Sequence, residues 1–251
     1  FKQKTAYEIM PSLVGSEMCI REDIKYVLKK YHKKLADEAL YLEILGGTCT
    51  PRLISSTEDT LSMEYIEGIS LDKLKLGPSA TSESDRIELI FEIIKSYIFI
   101  HSRGILHLDP RPSNIFITTS KITKIIDFNV SSTISNPRTY PGDDGLPLYW
   151  YPIRPPESFE KGFIPTIQSE IYSLGHLFYY IYHGHFLLEE FFDRSKDGDR
   201  NSIRQFHECI DRVVLPKSFK INRLISSMIE KLPKNRPKGM DEVIELMEKI
   251  V

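Results

Sequence analysis

The stretch IHSRGILHLDPRPSNIFITTSKITKIIDFN, residues 100–129, decides the fold. It sets Asp109 and Asn114 five positions apart and places Asp127 after two apolar runs, IFI and KII. Two chemistries put an aspartate, an amide and a second aspartate beside short β-branched strands. One is a surface loop followed by a hairpin. The other is a metal–phosphate site, since hard divalent cations take carboxylate and amide oxygens. The rest of the chain has to discriminate between them.

A chain of 251 residues suits one large domain or two small lobes, and its 41% hydrophobic content is ordinary for a globular protein. The formal net charge of −2 argues against bulk attraction to nucleic acid or acidic membranes, although Lys29, Lys30, Lys33 and Lys34 cluster locally. The cysteines, Cys19, Cys49 and Cys209, are odd in number and lack metal-ligand spacing. A disulfide framework is not expected, and a reducing, intracellular and cytoplasmic setting is. No signal peptide is visible; a chain starting at Phe1 reads as a processed or excised piece and leaves an upstream leader open. The longest apolar run, YSLGHLFYYIYHGHFLL, is broken by histidines and glycines, so no membrane span is expected.

Periodicity divides the chain. IKYVLKKY (24–31) alternates as a strand, and LADEALYLEIL (35–45) repeats Leu35, Ala39, Leu42 and Leu45 at helical spacing. PRLISS and TLSMEYI read as a hairpin turning at TED. From about residue 69 helices dominate. SESDRIELIFEIIKSYIFIHSRG has Ser82 or Ser84 as a start and Gly104 as a stop. Residues 129–166 lack periodicity and read as loop. SEIYSLGHLFYYIYHG is apolar on nearly all sides and belongs at the centre of a helical core. LLEEFFDR, INRLISSMIEK and MDEVIELMEKI complete a helical second half. The expectation is an α+β chain with a small β-rich lobe, residues 1–66, and a larger helical lobe, residues 67–251, joined at MEYIEGISL.

In this order the motifs resemble those of the eukaryotic-type protein kinase family. HLDPRPSN is similar to the catalytic loop H-R-D-x-K-x-x-N, and DFN to D-F-G. PPE (155–157) is similar to A-P-E, SEIYSLG to the S-D-x-x-S-L-G helix, and PKNRP to a late arginine motif. Each triplet alone is weak, but five in the family's order are specific. The resemblance runs from about Tyr26 to Arg236 and implies a two-lobed kinase-like fold that uses ATP and Mg²⁺ on a protein substrate or a regulated protein partner.

The roles it implies are carried over position by position. Asp109 would orient the substrate hydroxyl and accept its proton, and Arg111 stands where the family has a lysine that neutralises the γ-phosphate. Asn114 and Asp127 would hold Mg²⁺. Lys29 would grip the α- and β-phosphates, and Glu38 would orient Lys29. With Lys29 toward the nucleotide, Val27 shares its face, while Tyr26 and Leu28 are expected to point into the lobe core. Met63 resembles the residue at the back of the nucleotide pocket; Glu64 and Ile66 would offer backbone groups to adenine, and Val27 and Phe116 would sandwich the ring. His107 and Phe128 resemble a hydrophobic spine, and Glu157 with Arg236 a buried ion pair.

Five departures matter. Residues 1–29 hold a single glycine, Gly15, where the family uses several to bring backbone N–H groups to the phosphates. Leu108 replaces the arginine that pairs with a phosphate on the loop after the active site, which points to control independent of phosphorylation there. Asn129 replaces the glycine of D-F-G, and Glu170 the aspartate of the central helix. Only nine positions separate Lys29 from Glu38, fewer than the family has, so the front of the helix is expected to be cut short or residues near 31–38 to be absent. The leading expectation is a serine/threonine protein kinase. The rival is a pseudokinase acting as a binding or allosteric module, favoured by the missing glycines and disfavoured by Lys29, Asp109, Asn114 and Asp127. A small-molecule kinase fits PPE and PKNRP poorly. Substrate identity and oligomeric state are not legible.

Overall fold

The computed structural model describes residues 16–21, 24–30, 36–139, 153–190, 210 and 213–250. Gly15, Lys33, Lys34, Leu35 and Cys209 lie outside them, as do the last four residues of LLEEFFDR. The chain divides into two compact units. One runs through Leu74 and takes in Pro112–Ser131; the other comprises Lys75–Arg111 and the chain from Ser132 on.

The first unit is built on a four-stranded antiparallel sheet of order β1-β2-β4-β3, from β1 (Ser16–Arg21), β2 (Ile24–Lys30), β3 (Leu53–Ser56) and β4 (Thr60–Glu64). Its β3–β4 hairpin turns at residues 57–59, where Thr57 N–H donates to Thr60 O at 2.8 Å and Thr57 Oγ1 accepts from the Asp59 and Thr60 N–H groups. Helix α1 (Ala36–Leu45) buries Ala39, Tyr41, Leu42 and Leu45. It stops at Gly46 and Gly47, whose φ of 59° and 77° a side chain would strain. Strand β5 (Gly68–Ser70) forms a second sheet with β7 (Ile115–Thr118) and β8 (Thr123–Ile125). That pairing is what brings Pro112–Ser131 into this unit.

The second unit is helical. Helix α2 (Glu83–Ser102) begins where Ser82 Oγ accepts from Asp85 N–H at 3.1 Å and ends at Gly104, φ 74°. Helix α3 (Ile167–His183) is opened by a reciprocal cap between Thr166 and Ser169 and closed by Gly184. It is buried on nearly every side, as its composition requires. A Cβ on Gly175 would fall 2.7 Å from Ile229 Cγ2 and 2.9 Å from Met228 Cβ, so a glycine lets the end of α4 (Ile221–Met228) close onto α3. Helix α5 (Met240–Glu248) packs on α2. Residues 129–139 and 153–166 are irregular apart from β9 (Ser132–Thr133), paired with β6 (Ile105–Leu106), and a single turn at Pro156–Phe159. Leu187–Glu190 forms only a short 3₁₀ turn. Arg236 grips Glu157 with two parallel bonds, 2.7 and 2.9 Å, and spends its remaining donors on the Gln168, Glu230 and Lys231 carbonyls. Among the described residues no helix is long and apolar enough to cross a membrane.

Candidate active site

Strand β2 lies inside its sheet, so its two faces meet different surroundings. Val27 and Lys29 are buried, whereas Tyr26 and Leu28 are only half-buried. This corrects the expectation that Tyr26 and Leu28 point into the core. Alternation fixes which residues share a face, but α1 covers the face that carries Lys29.

Under that helix Lys29 Nζ lies 2.8 Å from Glu38 Oε1 and 3.1 Å from Asp127 Oδ1. Lys29 and Glu38 are 2% and 1% exposed, while Asp127 at 18% stays open to solvent. Glu38 Oε1 also accepts from Phe128 N–H at 3.3 Å. Burial pushes the Glu38 carboxyl above its ordinary value, against the opposing pull of Lys29. Such a pair persists only because hydrogen bonds offset the loss of water. Asp127 adopts φ 68°, a conformation uncommon outside glycine and asparagine, and this turns the chain between β8 and Phe128. Asn114 O accepts from Ile126 N–H at 2.9 Å, which sets the asparagine beside the backbone leading into Asp127.

Next to this group is a recess of about 260 Å³, including its open mouth, lined by Val27, Lys29, Pro51, Met63, Glu64, Ile66, Ile126 and Asp127. Its walls are apolar, with an ammonium and a carboxylate among the lining groups. Phe116 is buried on β7 and does not line this recess. Among the described residues no group of three His, Cys, Asp or Glu side chains could hold a metal. An Asn–Asp pair fits a small hard cation differently, because Mg²⁺ keeps several waters and commonly takes one or two carboxylates plus the ligand's phosphates.

The second unit carries Asp109 and Arg111. Arg111 Nη2 and Nε lie 2.6 and 2.7 Å from Asp109 Oδ2, and Arg111 N–H donates to Asp109 O at 2.8 Å. Asp109 is buried, while the arginine is 41% exposed. Just before them Leu108 has φ 68° and is fully buried. Its N–H donates to Glu170 Oε1 at 2.5 Å, and Glu170 Oε2 lies 2.6 Å from His101 Nε2. Tyr97 and His107 meet at 3.0 Å between the hydroxyl and Nδ1. Sequence reasoning marked Glu170 only as a departure; its hold on the loop before Asp109 is a long-range contact with no local signature.

A family model described as the protein kinase domain matches residues 24–247. Curated relatives agree. The "Probable serine/threonine-protein kinase PknB" of Lactococcus lactis is 24% identical over 161 residues, covering 63% of this chain and 24% of the relative. A probable serine/threonine-protein kinase of Clostridium perfringens is 27% identical over 208 residues, covering 77% and 28%. Vascular endothelial growth factor receptor 3 of Mus musculus is 30% identical over 177 residues, covering 66% and 12%. The chain thus spans at most 28% of the length of these relatives. By the extent of that match and the order of its motifs, the chain belongs to the protein kinase domain family.

Proposed function

We propose that the chain is an active protein kinase that transfers the γ-phosphate of ATP to serine or threonine of a protein substrate, with residues 1–66 and 67–251 as its lobes. The observation that carries this reading is the buried Lys29–Glu38 pair reaching Asp127. A lysine held this way costs several kcal/mol to desolvate and serves no packing purpose that a methionine would not. It is intelligible as a preformed cationic grip for phosphate.

Phosphoryl transfer asks a protein mainly for positioning and charge neutralisation. In this reading Lys29 binds the α- and β-phosphates, and Glu38 fixes its ammonium. Val27, Met63 and Ile126 exclude water from one edge of the base, while Glu64 and Ile66 present backbone groups to it. Asn114 and Asp127 are the residues that would hold Mg²⁺. When bound, the cation supplies charge stabilisation to the phosphates. Asp109 orients the incoming hydroxyl and holds its proton at Oδ1 or Oδ2. Arg111 clasps Oδ2, so its planar fork serves the carboxylate as well as the γ-phosphate. The serine/threonine preference rests on a basic residue two positions after Asp109, and on relatives named as such.

The test is incubation with ATP, Mg²⁺ and a generic protein substrate, followed by phosphoamino-acid analysis. Phosphoserine or phosphothreonine should form, and Asp109→Ala should slow transfer by ~10²–10⁴-fold. Asp127→Ala should remove the Mg²⁺-dependent thermal shift by nucleotide. Absence of transfer, with nucleotide binding intact, would favour a pseudokinase that acts by binding.

A further inference from the structure

Helix α1 carries Glu38 in its first turn but no basic residue in its last, where a helix favours positive charge. The missing cation comes from β8. Lys124 Nζ donates to Gly47 O at 2.6 Å and Thr50 O at 3.0 Å, and lies 3.5 Å from Thr48 O. One residue on, Ile125 N–H donates to Cys49 O at 2.7 Å. The loop leaving α1 is therefore fastened to the strand that runs directly into Asp127. At the helix's other end Glu38 accepts from Lys29 and from Phe128 N–H, and between them Tyr41 Oη reaches Ser131 O at 3.5 Å. The left-handed turns at Gly46 and Gly47 bring the loop round toward the lysine.

We infer that Lys124 is a positioning residue for Lys29, acting through α1. The inference rests on the roles given to Lys29 and Glu38 above. A helix of ten residues is too short to hold itself together in water, so its place is set by the packing of Ala39, Tyr41, Leu42 and Leu45 together with what its ends grip. An ammonium offers three donors at one point, and three carbonyls converge on this one. Without it the loop that leaves α1 still has the Ile125 N–H bond to Cys49 O on β8 but loses the charged clasp on its carbonyls. A slide or swivel of the helix by an ångström or so would then take Glu38 out of reach of both Lys29 and Phe128 N–H. The lysine's position on β8 couples the two halves of the grip, because the same short strand delivers Asp127.

The experiment compares the full chain with Lys124→Met, which keeps length but loses the donors, and Lys124→Arg, which keeps charge. Amide hydrogen exchange is read at Phe128 and at residues 46–50, with amides of α3 as internal reference. Lys124→Met should speed exchange at both places by about tenfold and leave α3 unchanged, and Lys124→Arg should recover to within about threefold. Phosphoryl transfer should fall by about tenfold in kcat, with KM for the protein substrate unchanged. Unchanged exchange at Phe128 in Lys124→Met would overturn the inference, since the helix would then keep its place unaided. A rise spread evenly over all amides would overturn it too, because the lysine would then be a general stability contact. If the parent chain transfers no phosphate, the proposed function fails, while Phe128 exchange still decides the role of Lys124.

Discussion

Glu170, at the first turn of α3, accepts the N–H of Leu108 at 2.5 Å and holds that residue in a left-handed turn one position before Asp109. Its second oxygen meets His101 at 2.6 Å. The carboxylate is fully buried, so both contacts act where water cannot replace them. Compared with the aspartate that the motif leads one to expect, glutamate adds one methylene, and both of its oxygens still find partners.

Replacing this carboxylate by an amide leaves one oxygen acceptor where two stood. Glu170→Gln should lower the unfolding free energy by about 1–3 kcal/mol, the usual cost of leaving a buried polar group unsatisfied. Urea denaturation at neutral pH measures it. An unchanged midpoint and slope would mean that the turn at Leu108 holds itself.

Lys29 and Glu38 separate stability from function. Removing one member of a buried pair leaves the other charge stranded, at about 3–5 kcal/mol. Replacing both by apolar side chains of similar volume is often neutral or stabilising. Lys29→Met should therefore be less stable than Lys29→Met with Glu38→Leu, and both should be deficient in phosphoryl transfer. A double variant less stable than the single one, by thermal or urea unfolding, would show that the pair stabilises the fold as well.

Leu108 bears on regulation. Where the kinase motif has an arginine that pairs with a loop phosphate, this chain buries a leucine completely. An apolar side chain gains by burial, ~1.5–3 kcal/mol for a leucine, and has nothing to offer a phosphate. Phosphatase-treated and untreated protein should transfer phosphate at the same rate. A large loss of activity on dephosphorylation would show that another cation reads the modification.

The parts of this architecture that were legible from sequence are those with short-range causes. Ser82 caps α2, Gly104 ends it, and residues 57–59 make the β3–β4 turn, each because local backbone chemistry leaves few alternatives. Three features were not legible. Alternation in β2 paired Val27 with Lys29 but could not say which sheet face α1 would cover. The spacing of Phe116 from Asn114 does not tell that it is buried on β7 without lining the recess beside Lys29. Lys124 reads as one more strand lysine, because its partners are backbone carbonyls, and a carbonyl carries no sequence signature.

His176 gives α3 a pH dependence. It is fully buried against Tyr172, with ring centres 4.7 Å apart, and burial followed by the positive charge of Arg236 pushes its imidazole down to about 3. In the unfolded chain a histidine takes up its proton near ~6.5. Between those values the unfolded state binds the extra proton and the native state does not, so stability falls as the pH drops through that window. One such group contributes at most about 1.4 kcal/mol per pH unit. His176→Phe should flatten the acid limb of a stability-versus-pH curve measured between pH 7 and 4. A limb of unchanged steepness would place the acid sensitivity in other groups.

The last prediction concerns nucleotide affinity. The recess beside Lys29 is walled by Val27, Met63, Ile66 and Ile126. Val27 forms part of its wall, two positions before the lysine, where the kinase motif has an alanine. Close-packed walls yield little, and forcing extra atoms into them costs ~1–3 kcal/mol. Residues 1–29 hold one glycine, Gly15, where the kinase motif uses several to let backbone N–H groups reach the phosphates. ATP with Mg²⁺ should therefore bind weakly, with Kd in the hundreds of micromolar or above, roughly −5 kcal/mol. Val27→Ala should tighten it by about tenfold, since ~1.4 kcal/mol of relieved crowding is a factor of ten. Phe116→Leu should change it by less than about threefold, because the ring stands outside the recess wall. Calorimetric titration of the three proteins decides. A low-micromolar Kd for the parent chain would mean that the recess is not obstructed and that some other segment supplies the phosphate contacts. A large response to Phe116→Leu with none to Val27→Ala would put the base on the β7 side instead.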